Sequence, residues 1–178
     1  MNSATETPVR IRSLSAEEID AAAPGLAAVL LDCVAGGASV NFMAGFSGER
    51  AEAFWRGVAE AARGDGRVLF VAEDERGVVG TVQLIPIPFD NQPHRAEVSK
   101  MLVHGRARRR GAGEALMRAA EQAARTMGRT LLTLDTKTGE DGERLYLRLG
   151  WIPVGIIPGF ALYPDGRRGD TTFFYKQL

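Results

Sequence analysis

The sequence has one cysteine and two histidines among 178 residues, and this scarcity excludes several kinds of chemistry. The single cysteine, Cys33, can form neither an intrachain disulfide nor a cysteine-based zinc cluster. The two histidines, His94 and His104, are too few for a histidine-rich metal site, so we expect no bound metal. The 22 basic and 22 acidic side chains give a formal net charge of zero. This balance argues against a protein that holds nucleic acid through a general positive field.

Long hydrophobic runs are also missing. The longest apolar stretch, Leu26 to Ala35, is interrupted by Asp32 and is far shorter than a membrane span. The segment from Met1 to Thr7 has no basic start followed by an apolar core, so no secretory signal is predicted. We therefore expect a cytoplasmic protein with no membrane partner.

What is present is an ordinary globular composition, with 45% hydrophobic and 25% charged residues. No repeat or linker divides the chain, so residues 1–178 are predicted to form a single domain. Apolar periodicity predicts helices from Ser15 onward, with an interruption or kink at Pro24-Gly25, and over residues 47–63, 111–127 and 141–149. Strands are predicted over residues 9–12, 68–73, 78–87, 96–103, 131–135, 151–154 and 171–175. This order indicates a mixed α/β fold around one sheet.

The most informative stretch follows the strand that ends at Val103. A loop with four arginines leads into Gly111-Ala112-Gly113, which opens a long amphipathic helix. Small residues at a helix start leave the first backbone N–H groups uncovered, and the helix dipole is positive there. This favours an anion site suited to a pyrophosphate. The alternative is that the glycines ease a tight turn and the arginines are a solvated face.

Two classes of cofactor fit a phosphate at a helix N-terminus. Gly111-x-Gly113-x-x-Leu116 matches two of the three glycines of the dinucleotide fingerprint, and Asp135 ends the next strand, about where a ribose-binding carboxylate should lie. Against this reading, Leu116 replaces the third glycine, and seven residues separate Val103 from Gly111. An NAD(P)-dependent oxidoreductase stays an alternative, and acyl-coenzyme A is the second class.

Arg108-x-x-Gly111-x-Gly113 resembles the Q/R-x-x-G-x-G/A motif of the GNAT acetyltransferase superfamily, which lies between that family's fourth strand and third helix. The segment from Tyr146 to Trp151 resembles the family's later Y-x-x-x-G-F/W motif, and the element order matches over most of the chain. The resemblance implies a mixed, mostly antiparallel GNAT-type sheet flanked by helices. It also implies an N-acetyltransferase with acetyl-CoA as co-substrate. Many family members carry an asparagine where this chain has Gly139.

The resemblance further implies which residues meet acetyl-CoA. The backbone of Met101, Leu102 and Val103 would pair with the pantetheine arm. The arginine cluster, which includes Arg108 and Arg110, would add positive charge for the phosphates. The pyrophosphate would be surrounded by the amides of Arg109, Gly111, Ala112, Gly113 and Glu114.

Acetyl transfer to an amine needs a base for the amine, donors for the oxyanion and an acid for the departing thiolate. The family position of Tyr146 is that of the acid, although a buried core tyrosine is the plain alternative. Glu97 and Asp135 are candidate bases, because two neighbouring carboxylates raise one pKa toward the range that a base needs. The alternatives are a solvent-facing edge for Glu97 and a turn-forming role for Asp135. The family's bulged fourth strand would supply an oxyanion donor near Leu102.

Alternation along the strands groups Glu97 with Ser99 and Met101, and Asp135 with Thr133 and Leu131. If the two strands are neighbours, both carboxylates border one cleft. The acceptor pocket is expected in the least regular pieces of the chain, residues 36–47, 86–93 and 158–170.

The C-terminal third, with the segment from Gly159 to Arg167, resembles the tabtoxin-resistance acetyltransferases, which acetylate an amino-acid-like toxin. We therefore expect a small-molecule amine as acceptor. Because no nucleophile stands out for a covalent acetyl-enzyme, we expect direct transfer in a ternary complex, by a monomer or homodimer. A non-catalytic acyl-CoA-binding module is the alternative from a different functional class.

Overall fold

The computed structural model describes residues 9–178, so the interpretation of the segment from Met1 to Thr7 lies outside the described residues. The helices are α1 (Ala16–Ala21), α2 (Ala23–Ala35), α3 (Gly48–Ala62), α4 (Ala112–Thr126) and α5 (Asp141–Arg148). The strands are β1 (Arg10–Leu14), β2 (Val68–Asp74), β3 (Gly77–Pro86), β4 (Arg95–Val103), β5 (Leu131–Lys137), β6 (Ile152–Leu162) and β7 (Arg168–Gln177). No helix in this part of the chain is both long enough and apolar enough to span a bilayer.

The seven strands form one sheet in the order β1-β2-β3-β4-β5-β7-β6. Only the β4–β5 pair is parallel among the described strands, and every other neighbouring pair is antiparallel. The predicted mixed, mostly antiparallel sheet flanked by helices is therefore confirmed. This topology also lacks the repeated parallel β-α-β units that a dinucleotide-binding fold requires.

The predicted helix starts are correct because they depend on local hydrogen bonds. Ser15 caps α1, and its capping box with Glu18 is complete. Ser47 caps α3 by accepting a hydrogen bond from the Arg50 amide. The predicted interruption near Pro24 is a helix boundary, since Pro24 lies in the first turn of α2, where its missing N–H costs no hydrogen bond.

Two apolar clusters cover the two faces of the sheet. Helices α1–α3 pack on one face, with Leu26, Leu30 and Trp55 fully buried. Helices α4 and α5 pack on the other face, which buries Leu116, Met117, Leu132, Tyr146, Trp151 and Phe174. Because the side chains of a strand alternate between the two faces, the face of each strand residue follows from the cluster to which the residues beside it in the strand belong.

Strands β4 and β5 separate soon after they meet. They pair at only three positions, from Arg95 opposite Leu131 to Glu97 opposite Thr133, and then diverge. The divergence opens a wedge between β4 and β5 in the middle of the sheet. The ends of both strands lie along this wedge.

Strand β4 contains the β-bulge near Leu102 that the family resemblance implied, although the strand pattern itself does not show it. Between the pairs Gln83–Ser99 and Thr81–Leu102, β4 has one residue more than β3. Lys100 lies in this bulge with φ of 50°, and its carbonyl accepts a hydrogen bond of 2.8 Å from Thr81 Oγ1.

After the bulge, the side chains of β4 lie on the face opposite to the one that regular alternation along the strand would give. Met101 packs in the cluster under α4, whereas Glu97 lies on the opposite face, because Ala96 and Val98 face α4. The predicted grouping of Met101 with Glu97 is wrong for this reason.

The predicted irregular stretch over residues 158–170 is also wrong for most of its length. Strand β6 continues to Leu162 and β7 begins at Arg168. Pro158 is tolerated because β6 is an edge strand, and a register shift between Ile157 and Ala161 absorbs it. Gly159, with φ of 61°, donates its amide to Asp170 Oδ1 at 2.8 Å.

A buried ion pair ties the α4 side of the molecule together. Glu121 in α4 is 4% exposed and accepts hydrogen bonds from Trp151 Nε1 at 3.0 Å and from Lys176 Nζ at 2.8 Å. Lys176 also donates to the Leu149 carbonyl at 2.6 Å. Three segments, α4, the α5–β6 turn and β7, are therefore joined next to Tyr146.

Candidate active site

A cleft of about 520 Å³ occupies the wedge between β4 and β5. It is bordered by the end of α2 and residues 36–40 of the loop after it, by the end of β4, by the start of α4, and by β5 and α5. Arg110 is the one predicted cofactor residue that does not line this cleft. The predicted residues that do are Met101, Leu102, Val103, Arg108, Arg109, Gly111, Ala112, Gly113 and Glu114.

The start of α4 leaves backbone donors open at this cleft. Gly111 is the N-cap with φ of 77°, a conformation that favours glycine, and no side chain caps the helix. The first intrahelical hydrogen bond runs from the Ala115 amide to the Gly111 carbonyl. The amides of Ala112, Gly113 and Glu114 therefore precede the first helical hydrogen bond, in a cleft that they line. This is the geometry of an anion site.

Gly113 is required by close packing rather than by its backbone angle. A Cβ at this position would lie 3.1 Å from Leu145 Cδ2 and 3.8 Å from Met101 Sδ. The helix therefore approaches β4 and α5 closely at the point where the cleft narrows.

The arginines after β4 do not act together. Arg109 is exposed at the mouth of the cleft, and its guanidinium lies 3.9 Å from the Asp141 carboxylate. Arg108 turns back along the cleft, because its Nε donates to the Val103 carbonyl at 3.1 Å. The charge of Arg110 acts on Asp74, at the β2–β3 turn.

The environment of Asp74 shows that the other arginines of the loop, Arg106 and Arg110, act on this carboxylate. Burial acts to raise the pKa of Asp74, but the Arg76 amide and the Arg106 guanidinium, helped by the charges of Arg106 and Arg110, bring it below its usual value. Arg106 forms an ion pair with Asp74. Part of the predicted arginine cluster therefore fastens the loop to the β2–β3 turn.

Asp32 in α2 fixes the other side of the same loop, and sequence reasoning missed this role. Its Oδ2 accepts a hydrogen bond of 2.7 Å from the Gly105 amide and lies 3.5 Å from His104 Nδ1. An acidic residue inside the longest apolar run was the available signal. Asp32 therefore positions the segment that leads from β4 into the open helix start.

Tyr146 lies at the inner end of the cleft. It is 5% exposed, and its ring packs 6.1 Å from Trp151 and 5.9 Å from Phe174, measured between centroids. Burial, together with the negative charge of Asp135, raises the pKa of the Tyr146 hydroxyl above its usual value. The hydroxyl therefore keeps its proton at neutral pH, as a proton donor must.

Gly142 makes space beside this hydroxyl and was not predicted. A Cβ at Gly142 would lie 3.8 Å from Tyr146 Oη and 3.2 Å from Thr136 Oγ1. A Cβ would thus be tight against Thr136 Oγ1 and in ordinary contact with the Tyr146 hydroxyl.

Glu97 and Asp135 lie on the face opposite α4 and do not line the cofactor cleft. Glu97 is opposite Thr133, and Asp135 is two residues further along β5, so both carboxylates border the wedge on the same face. Burial raises the pKa of Asp135 above its usual value, and the positive charge of Lys100 opposes this shift. Two of the three predicted catalytic side chains are thus on one side of the wedge, and Tyr146 is on the other.

Lys100 lies on the same face as Glu97 and Asp135, and sequence reasoning did not single it out. Its Nζ lies 5.7 Å from the centroid of the Phe54 ring in α3. Burial lowers its pKa, while the charges of Asp135 and Glu97 act in the opposite direction. The bulge places it here, and the strand pattern gave no signal of the bulge.

The fold and the cleft agree with a family match. Residues 41–151 match the model of the family described as "Acetyltransferase (GNAT) family". The chain belongs to this acetyltransferase family, so the predicted class of acyltransferase is confirmed and the oxidoreductase alternative is dropped.

Solved structures of similar fold are numerous. The ribosomal-protein-alanine N-acetyltransferase of Brucella melitensis is 25% identical, with a TM-score of 0.76 over 95% of this chain and 99% of that one. Salmonella typhimurium yncA, solved with its cofactor acetyl-CoA, is 21% identical, with a TM-score of 0.78 over 97% and 95%. The phosphinothricin acetyltransferase of Sinorhizobium meliloti, in complex with acetyl-CoA, is 21% identical, with a TM-score of 0.79 over 96% and 88%.

Proposed function

We propose that this protein is an N-acetyltransferase that moves the acetyl group of acetyl-CoA to the amine of a small molecule, by direct transfer in a ternary complex. One observation carries the proposal. The wedge between β4 and β5 joins an uncapped helix start at one end to Tyr146 and, across the sheet, to Asp135. Family membership and the acetyl-CoA bound to two structural neighbours support the choice of co-substrate.

The residues of the cleft fit acetyl-CoA. The amides at Gly111, Ala112, Gly113 and Glu114 would hold the pyrophosphate, and the exposed Arg109 would add charge at the mouth. Beyond Glu97 the backbone of β4 no longer pairs with β5, and residues 101–103, where the Val103 carbonyl accepts a hydrogen bond from Arg108 Nε, would hold the pantetheine arm. Acetyl-CoA supplies an acetyl group activated as a thioester.

Different side chains of the protein would accept and donate the protons of the reaction. Asp135, alone or with Glu97, would take a proton from the acceptor amine, and the raised pKa of Asp135 suits it as a base. Tyr146 would give a proton to the departing thiolate. A backbone amide of the bulged segment near Leu102 would stabilise the oxyanion.

A small acceptor, possessing an amino-acid-like character as in the tabtoxin-resistance enzymes, is the substrate class that we propose. The Ala44 amide donates to the Pro164 carbonyl at 3.0 Å, which joins the α2–α3 loop to the β6–β7 turn. Both segments belong to the surroundings of the cleft, since residues 36–40 line it and Tyr163 packs over Lys137, which also lines it. Such a bridge favours a small molecule over a folded polymer. We place the reaction in the cytoplasm, where acetyl-CoA is available, in a monomer or homodimer.

Calorimetric titration with acetyl-CoA, with NADPH as the comparison ligand, tests the co-substrate. We expect micromolar binding of acetyl-CoA and no signal from NADPH. Absence of acetyl-CoA binding would overturn the proposal.

Release of free CoA across a panel of amines and amino acids then tests turnover. We expect Tyr146→Phe to lower kcat by about 10² or more while acetyl-CoA binding is retained. Thr126→Val is the control, because it removes a hydroxyl at the end of α4 away from the cleft, and it should leave kcat unchanged. Glu97→Gln and Asp135→Asn identify the base. Binding without turnover of any amine would favour the non-catalytic acyl-CoA-binding module.

A further inference from the structure

The chain contains three lysines, and their surroundings differ sharply. Lys137 forms an ion pair of 2.8 Å with Glu140 and lies 4.2 Å from the centroid of the Tyr163 ring. Lys176 forms the buried ion pair with Glu121. Both ammonium groups therefore have a carboxylate in direct contact.

Lys100 has no such partner among residues 9–178. No hydrogen bond or ion pair of its ammonium with these residues is found, and its contact is the face of the Phe54 ring. The charges that face it are the carboxylates of Glu97 in β4 and Asp135 in β5, which act on it without reaching ion-pair distance. A half-buried lysine with this environment loses its proton more easily than an exposed one, which makes it a better nucleophile.

The bulge places this amine on the acceptor side of the reaction. Lys100 lies in the bulge itself, one residue before Met101, which lines the cleft. Asp135, the proposed base, is on the same face. The amine is therefore on the face where the proposed base would act, within reach of the charges of Asp135 and Glu97.

We propose that Lys100 is a self-acetylation site of this enzyme, an inference that rests on the proposed function. The Lys100 Nζ lone pair attacks the thioester carbonyl carbon, so a C–N bond forms and the C–S bond breaks. The departing thiolate takes a proton from Tyr146, and the amine gives its proton to Asp135. The products are Nε-acetyl-Lys100 and free CoA. Acetylation removes the charge of Lys100 and fills the acceptor side, so the modified enzyme is blocked toward its acceptor.

The first test measures the nucleophilicity of each lysine without acetyl-CoA. The folded protein is labelled with trace acetic anhydride across a pH series, and peptide mapping by mass spectrometry gives the labelling of each lysine. Lys100 should label at lower pH in the folded protein than in urea, and Lys137 and Lys176, whose ammonium groups are ion-paired, are the comparison sites. Equal labelling curves for folded and unfolded Lys100 would overturn the proposal.

The second test incubates the enzyme with acetyl-CoA and no acceptor. One acetyl group should appear on Lys100, with a rate on the order of tenfold or more above that of Lys176 and independent of protein concentration, as an intramolecular reaction requires. Asp135→Asn should slow this labelling. Saturating amine acceptor should protect Lys100.

The outcomes separate this inference from the proposed function. If acetyl-CoA binds and small amines are acetylated while Lys100 stays unmodified, self-acetylation is wrong and the proposed function stands. If acetyl-CoA does not bind in the calorimeter, both fail. Equal acetylation of all three lysines would indicate reaction in bulk solvent and would also overturn the site.

Discussion

Removing the charge of Glu121 should destabilise the protein far more than removing a surface charge. Glu121→Gln keeps the side-chain volume and an acceptor for Trp151 Nε1, but it leaves the Lys176 ammonium, 16% exposed, without a counter-charge. Breaking one side of a buried pair costs about 3–5 kcal/mol, and the partial exposure of Lys176 favours the lower end of that range. For a chain of this size, about 3 kcal/mol lowers Tm by about 6–12 °C.

The double variant Glu121→Gln/Lys176→Met sharpens this prediction. It removes the uncompensated ammonium, so most of the loss should be recovered, since replacing both partners of a buried pair is often close to neutral. Glu52→Gln is the matched control, because its pair with Arg56 is an exposed i,i+4 contact that should contribute less than about 0.5 kcal/mol.

Urea unfolding at neutral pH measures all three variants. Equal small losses for Glu121→Gln and Glu52→Gln would refute the reasoning. So would a double variant that loses as much as the single one, because the cost would then not come from an unpaired charge.

Three further predictions concern the cleft. Gly111→Ala should lower the free energy of unfolding in urea by about 1–2 kcal/mol through its positive φ and should weaken acetyl-CoA binding. Gly128→Ala, at the other end of α4 with φ of 70°, should lower it equally and leave binding unchanged. Weakened binding in both variants would contradict a local effect. Because folding raises the pKa of Asp135, its ionised form lowers the stability of the folded protein at neutral pH. Asp135→Asn should therefore be more stable than the parent at pH 7, and the difference should vanish below about pH 3.9. A variant that is less stable at pH 7 would contradict this sign. Asp32→Ala, which removes the acceptor of the Gly105 amide, should weaken acetyl-CoA binding in calorimetry, and unchanged affinity would show that this hydrogen bond does not position the loop.

Features set by a few neighbouring residues were predictable from the sequence. The caps at Ser15 and Ser47 and the glycine start of α4 depend on hydrogen bonds within one turn. The fold class followed from the order of such elements. The family resemblance also brought Tyr146 and Asp135 into one proposal, although their catalytic roles stay predictions.

Features that depend on pairing between distant strands were not predictable. Nothing in the residues around Lys100 distinguishes a bulge from a regular strand, because the extra residue is defined only by the register of β3 against β4. The prediction that Met101 lies on the same face as Glu97 was wrong for that reason. Similarly, Pro158 and Gly159 indicated a loop, but the edge position of β6 lets a strand continue past them.

The short pairing of β4 with β5 has a consequence for the resistance of the protein to unfolding and proteolysis. Three paired positions are the seam between a half-sheet of β1–β4 and a half-sheet of β5–β7, within the part of the chain that the structure describes. A co-substrate held in the wedge would act as a bridging strand across this seam. Ligand at 100 times its Kd adds about 2.7 kcal/mol to the unfolding free energy. The amides along the wedge would then exchange their hydrogens slowly only in the loaded protein, and the lifetime of the enzyme against proteolysis would follow the supply of acetyl-CoA.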